Sequence, residues 1–259
     1  MNGFQQERIM MFDKLLAKDK RLSKIASGIE KRIPNEVQND AIAESCAVLA
    51  HLVGALSDLK DGYLILAESK NLYSANVQLR VFLEHVLKAM AVFLEASRQD
   101  KTLAEGYFRL AEVEARAYLK ALEYAGIDEE EMDGTPTSVL FAKGKALTNR
   151  AKTEIEDPFR HKNLIQSIRQ VLGDEAAEPF LLKIVPNYAE LSGFVHGGPS
   201  TSLILLAAEN CKSEKLYQDA ELVVSMFFSV KRYLLMLVSE LNQEFNAAYN
   251  ELNEAILQG

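Results

Sequence analysis

The sequence predicts an all-α protein, a multi-helix bundle of about seven to nine helices ending in a long C-terminal one, the count following from its periodic segments and typical helix lengths. Three observations carry this. Only 13 Gly and 6 Pro punctuate the 259 residues, too few for the tight turns of an all-β sandwich or barrel of this size. A hydrophobic content of 48% is enough for a sizeable core. The apolar residues also recur at alternating steps of three and four, the spacing of one helix face.

The first helix runs from about Phe4 to Lys31, with Met11, Leu15, Leu22, Ile25 and Ile29 on its apolar face and Lys18 in the one polar slot. Pro34 ends it. Asn35 is placed to cap the second, which carries Leu49, Leu52, Leu56, Leu59, Tyr63 and Leu66. Asn71 or Ser74 begins a third, whose apolar positions Leu79, Phe82, Leu83, Val86, Leu87, Met90 and Phe93 lead to about Ser97. Between Asn76 and Phe93 only Arg80, Glu84 and Lys88 carry full charges. A fourth spans about Asp100 to Ala125 and stops at Gly126, a left-handed cap. Asp128, Glu129, Glu130, Glu131 and Asp133 then form an acidic run before Gly134-Thr135-Pro136. It reads as a solvated loop or a frayed helix start, because consecutive carboxylates cannot easily converge on one ion.

The final helix has the strongest periodicity. Leu216, Ala220, Val223, Phe227, Val230, Leu234, Leu237 and Leu241 alternate four and three, and Phe245, Ala248, Leu252 and Ala255 continue after one extra four-residue step. That is a heptad seam with a local phase shift. Its first part should be buried and its last turns should project. A projecting seam wants a partner, either the first helix of the same chain or a second subunit, and so a homodimer is expected. The organisation is one domain: an N-terminal helix over 1–35, a helical core over 36–212 and the final helix over 213–259.

Composition narrows the function. The formal charge of −8 argues against a protein that coats nucleic acid non-specifically. It leaves room for a local basic site. Residues 143 to 169 hold Lys143, Lys145, Arg150, Lys152, Arg160, Lys162 and Arg169 against only Glu154, Glu156 and Asp157, the best candidate for an RNA-facing surface. A solvated basic helix face is the plainer alternative. Cys46 and Cys211 stand far apart and the chain opens without a secretory pattern, so the expectation is a reduced, cytoplasmic protein. The apolar stretch Leu222 to Val238 contains Lys231 and Arg232, each costing roughly 3 kcal/mol at a bilayer centre. It is expected to be a buried helix and not a membrane span.

Two segments carry candidate chemistry. Pro186 to Pro199 reads as a short helix, opened by Pro186 and stopped by Gly197-Gly198-Pro199. Tyr188, Ser192 and His196 lie at i, i+4 and i+8 and drift only about 80°, so they share one stripe. His196 in the last turn is favoured as a cation by the helix dipole, which suits an anion site or acid–base chemistry. Alternatively it caps its own helix. On the third helix Arg80 and Glu84, i and i+4, face one way. Either they form with Lys88 a solvated stripe, or they are buried and need partners, which Tyr188, Ser192 and His196 would supply if the helices are neighbours.

Leu79-Arg80 with Glu84, an LRxxxE pattern, and Tyr188 with Leu191-Ser192 and His196, a YxxLSxxxH pattern, resemble a functionally uncharacterised family of bacterial helical proteins. That family is related to the HEPN (higher eukaryotes and prokaryotes nucleotide-binding) superfamily, and the resemblance covers about residues 40 to 210. It implies a helical, often dimeric protein, and many HEPN members are metal-independent ribonucleases of toxin–antitoxin and phage-defence systems. Their usual signature leaves four to six residues between an Arg and a later His. Before His196 the corresponding positions hold Ala189, Glu190 and Leu191. Arg80 and His85 satisfy the spacing, but on an unbroken helix they point about 140° apart.

Patterns for a phosphate-binding loop, zinc or di-iron are absent, so neither cofactor nor metal is expected. Two functions remain. One is a HEPN-like protein acting on RNA, with His196 moving the proton, Arg80 stabilising phosphate charge, Glu84, Tyr188 and Ser192 orienting them, and a partner protein of a defence system conceivable. The other is a non-catalytic binding or regulatory module in which the same residues form a structural network.

Overall fold

The computed structural model describes residues 3–26, 41–132, 134, 138–195, 201, 205–206, 212–241 and 246–257. Among these the chain is all-α: ten helices, nine of seven residues or longer, and no strand. The helices are α1 (Gly3–Ala26), α2 (Ala41–Glu68), α3 (Leu72–Ala96), α4 (Thr102–Ala125), α5 (Phe141–Ala146), α6 (Asn149–Glu156), α7 (His161–Leu172), α8 (Asp174–Val195), α9 (Lys212–Leu241) and α10 (Asn246–Leu257).

The core is built on α2, α3 and α9, each packed on the other two. All seven apolar positions expected on α3 are buried. The Asn71 side chain accepts from the Ser74 amide and starts that helix, and Gly126 adopts φ 67° and ends α4 as expected. By length and composition alone, stretches of α2 and α9 (Ile42–Glu68 and Lys212–Ser239) are long and apolar enough to cross a bilayer. Within the fold their apolar faces meet each other and α3, and Lys231 is 5% exposed in the middle of α9.

One stripe differs from its expected course. On α2 Leu59 and Leu66 are half-buried, and Lys60 lies inside next to Leu59 at 2% exposure. Its ammonium lies 2.7 Å from Asp19 of α1 and 2.6 Å from Asp61, and 5.4 Å above the ring of Phe227. The lysine reaches the heptad seam because its carboxylate partner comes from another helix.

The C-terminal region also differs. In place of one helix over 213–259 there are α9 and α10, and the expected phase shift falls within 242–245, outside the described residues. α10 does not project. It packs on α9 and α1, burying Leu252 and Ala255, and Arg21 donates to the Ala255 carbonyl at 3.3 Å. The described seam positions, Leu216 to Leu237 with Leu252 and Ala255, are therefore buried within the chain, and they give no argument for a second subunit. Pro34 and Asn35 lie outside the described residues.

Residues 138–160 form a satellite layer on α4, where Val113, Leu147 and Ile155 make a small separate core. Gly144 permits this closeness, since a Cβ there would stand 2.9 Å from the Arg116 backbone nitrogen. Arg116 secures the layer through the Leu147 carbonyl and through Asn149 at 2.7 Å.

Candidate functional site

The expected short helix beginning at Pro186 is instead the second half of α8, with Pro179 and Pro186 both inside it. An interior proline costs about 3 kcal/mol. The helix persists because Ala177, Leu181, Ile184, Leu191 and Phe194 bury one continuous face on both sides of Pro186. This face sets α8 against α3, and Tyr73 near the start of α3 donates to the Phe194 carbonyl at 3.1 Å near the end of α8.

That packing brings Arg80, Glu84 and Tyr188 together. One terminal nitrogen of Arg80 bonds the Glu84 carboxylate and the other the Tyr188 hydroxyl, and the guanidinium carbon lies 4.0 Å from the Tyr188 ring centre. Lys88 reaches Glu84 at 2.9 Å, so the three charges run along one stripe of α3. They are not a solvated stripe, for the side chains of Arg80 and Lys88 are only 14% and 16% exposed.

A fourth member was not singled out in the sequence. His161, the first residue of α7, stacks on Tyr188 with ring centres 3.9 Å apart and planes 13° apart. One signal marks it: His161, Leu164 and Ile168 stand at i, i+3 and i+7, so the imidazole belongs to the stripe that α7 buries. Its Nε2 and the Arg80 Nε are both shut off from solvent without a hydrogen-bond partner.

The electrostatics follow from burial and neighbours. Burial raises the Glu84 carboxyl, but Lys88 and Arg80 together hold it below its ordinary value. Burial, and then the Arg80 charge, push His161 below the ordinary imidazole range, so it is held neutral. Tyr188 is raised, chiefly by burial. A depressed imidazole protonates first in the unfolded chain as pH falls, so its destabilising effect sets in below about pH 6.5 and is complete below its folded value. Glu84 acts with the same sign in a lower window, below the usual carboxylate range. His161→Phe, which keeps the stacking but cannot titrate, is expected to lose part of the drop in melting temperature between pH 7 and pH 5. An unchanged drop would show that His161 titrates alike in both states.

The remaining expected residues are dispersed. Ser192 is half-buried one turn beyond Tyr188, and His196 lies outside the described residues. The carbonyls that an end-capping His196 would compete for are in part occupied: Thr201 donates to Gly193 at 2.9 Å and Tyr73 to Phe194. His85 bonds the Val81 carbonyl of its own helix at 2.9 Å, away from Arg80's partners.

Most of the basic segment is spoken for. Lys145 pairs with Glu129 of the acidic run, Arg150 with Glu154 at 2.8 Å, Lys152 with Glu156 at 3.6 Å and Arg160 with Asp157 at 3.1 Å. Lys143 and Lys162 are exposed. Four of the six candidate RNA contacts thus neutralise local carboxylates, which lowers the field offered to a phosphate. Among the described residues no three His, Cys, Asp or Glu side chains gather as a metal site.

Compared with protein-family models, with curated proteins and with solved structures, the chain matches none.

Proposed function

We propose that the chain is a helical binding or regulatory module without catalytic activity, in which the Arg80 cluster clamps α3, α7 and α8 together. The commitment of Arg80 carries this reading. Both its terminal nitrogens are engaged, by Glu84 and Tyr188, while its Nε and the His161 Nε2 are closed to solvent. A group that receives a phosphate needs open donors aimed at the ligand.

A second reading, a HEPN-like ribonuclease of the defence or toxin type working without metal, draws on a different feature of the same cluster. A cation and a neutral imidazole meet at Tyr188. On this reading His161, or His196, takes the 2′-hydroxyl proton as the 2′-oxygen attacks phosphorus, the P–O5′ bond breaks and the imidazolium returns the proton to the 5′-oxygen, while Arg80 leaves Glu84 to hold the phosphate and RNA lies along Lys143 and Lys162. A homodimer or a partner protein would belong to it. Both readings take the protein to be cytoplasmic.

One experiment separates them: labelled RNA incubated with the wild type and with Arg80→Ala, His161→Phe and His196→Ala. The clamp reading expects no cleavage by any of them and a marked loss of melting temperature in Arg80→Ala. Cleavage by the wild type that vanishes in a variant of unchanged melting temperature would overturn it.

A further inference from the structure

A cavity of about 610 Å³ lies between α1, α9 and α10, far from the Arg80 cluster in the chain and built from none of its residues. Its walls are of two kinds. Leu15 and Leu22 of α1 with Val224 and Phe228 of α9 form an apolar floor, all four of them buried. Lys14, Lys18 and Arg21, at i, i+4 and i+7 on α1, place three cations along one edge.

The opposing charge is small. Among the described residues Glu221 is the one carboxylate in the lining, and it accepts from the Tyr217 hydroxyl at 2.8 Å. Lys14 and Lys18 have no ion pair among the described residues, and Arg21 gives one N–H to the Ala255 carbonyl. In a chain of net charge −8, a basic edge with no ion pair among the described residues, set over an apolar floor, is an anion site with room for a hydrocarbon body. The volume falls in the range of small-molecule pockets, about 300–1,000 Å³.

We infer that this cavity binds an amphipathic anion, a single hydrocarbon chain ending in a carboxylate or a phosphate, with the head on Lys14, Lys18 and Arg21 and the chain on Phe228, Leu15 and Leu22. The head supplies a counter-charge to Lys14 and Lys18 and a further acceptor to Arg21, and the chain takes its own hydrocarbon out of water against the apolar floor. This site is separate from the Arg80 cluster, so the RNA result leaves it untouched, and its failure leaves the clamp reading standing.

The test is calorimetric titration of the whole chain, below micellar concentration, with dodecanoate, dodecyl phosphate, dodecanol and inorganic phosphate. Saturable one-to-one binding of one or both amphipathic anions is expected, at least tenfold tighter than that of dodecanol or phosphate. Preference for one anion identifies the head. Lys18→Glu should weaken binding tenfold or more, while Lys20→Glu, an exposed residue of α1 outside the lining, should leave it unchanged. Ser225→Phe, which fills the cavity from an exposed position, should abolish binding without lowering the melting temperature of the free protein. Non-saturable uptake, equal weakening by Lys18→Glu and Lys20→Glu, or undiminished binding in a folded Ser225→Phe protein would overturn the inference.

Discussion

Lys60→Ala is expected to lower the stability of the fold by about 3–5 kcal/mol, the cost of breaking a buried ion pair from one side. The two carboxylates around Lys60 do not share this cost equally. Asp61 is 61% exposed and recovers its hydration, whereas Asp19 is 13% exposed and is left charged against α2 without a partner. For a chain of this size a loss of that order lowers the melting temperature by roughly 10 °C. Lys60→Met restores the packing volume but still strands Asp19, so it should recover little. The double change Lys60→Met with Asp19→Leu removes both charges and should recover most of the loss. Thermal unfolding of the three variants decides the matter, and a double variant as unstable as Lys60→Ala would show that the stranded Asp19 charge is not the source of the loss.

Phe227→Ala is expected to cost about 3–5 kcal/mol, the range for truncating a buried aromatic residue. Phe227 is 1% exposed, meets the Phe228 ring edge-on at 4.9 Å and has the ammonium groups of Lys60 and Lys231 each 5.4 Å from its centre. Its loss opens a cavity at the meeting of α2 and α9 and removes the ring face that attracts two buried cations. Phe227→Leu, which keeps most of the volume, should cost clearly less. Combined with Lys60→Ala, the loss should fall short of the two losses added, because the variants share one contact. Denaturant titration gives the comparison, and strict additivity would mean that Lys60 and Phe227 do not interact.

Much of the fold was legible because helical periodicity and end signals act locally. The α3 face, the Asn71 cap and the Gly126 stop needed nothing beyond the neighbouring residues. What escaped depended on distant partners. Lys60 is buried because Asp19 meets it across 41 positions, and no pattern within α2 shows that carboxylate. Pro186 read as a helix start because its missing N–H is a local cost, while the apolar face that outweighs it extends from Ala177 to Phe194.

The site was legible in the same partial way. Arg80 and Glu84 invited a buried partner and Tyr188 supplies it. His161 sits among charges in the chain, which masks it, and only its spacing to Leu164 and Ile168 marks it as turned inward.

The docking of α1 bears on the order in which the molecule can be assembled. Its apolar face is covered mainly by α9 and α10, and the Arg21 contact reaches across 234 positions to Ala255. Synthesis at about 5–20 residues per second separates α1 from Lys212 by on the order of ten seconds or more. During that interval the nascent helix carries Leu15 and Leu22 with no surface to bury them. Chaperone binding on the ribosome should therefore concentrate on the first helix and be released only when α9 has emerged.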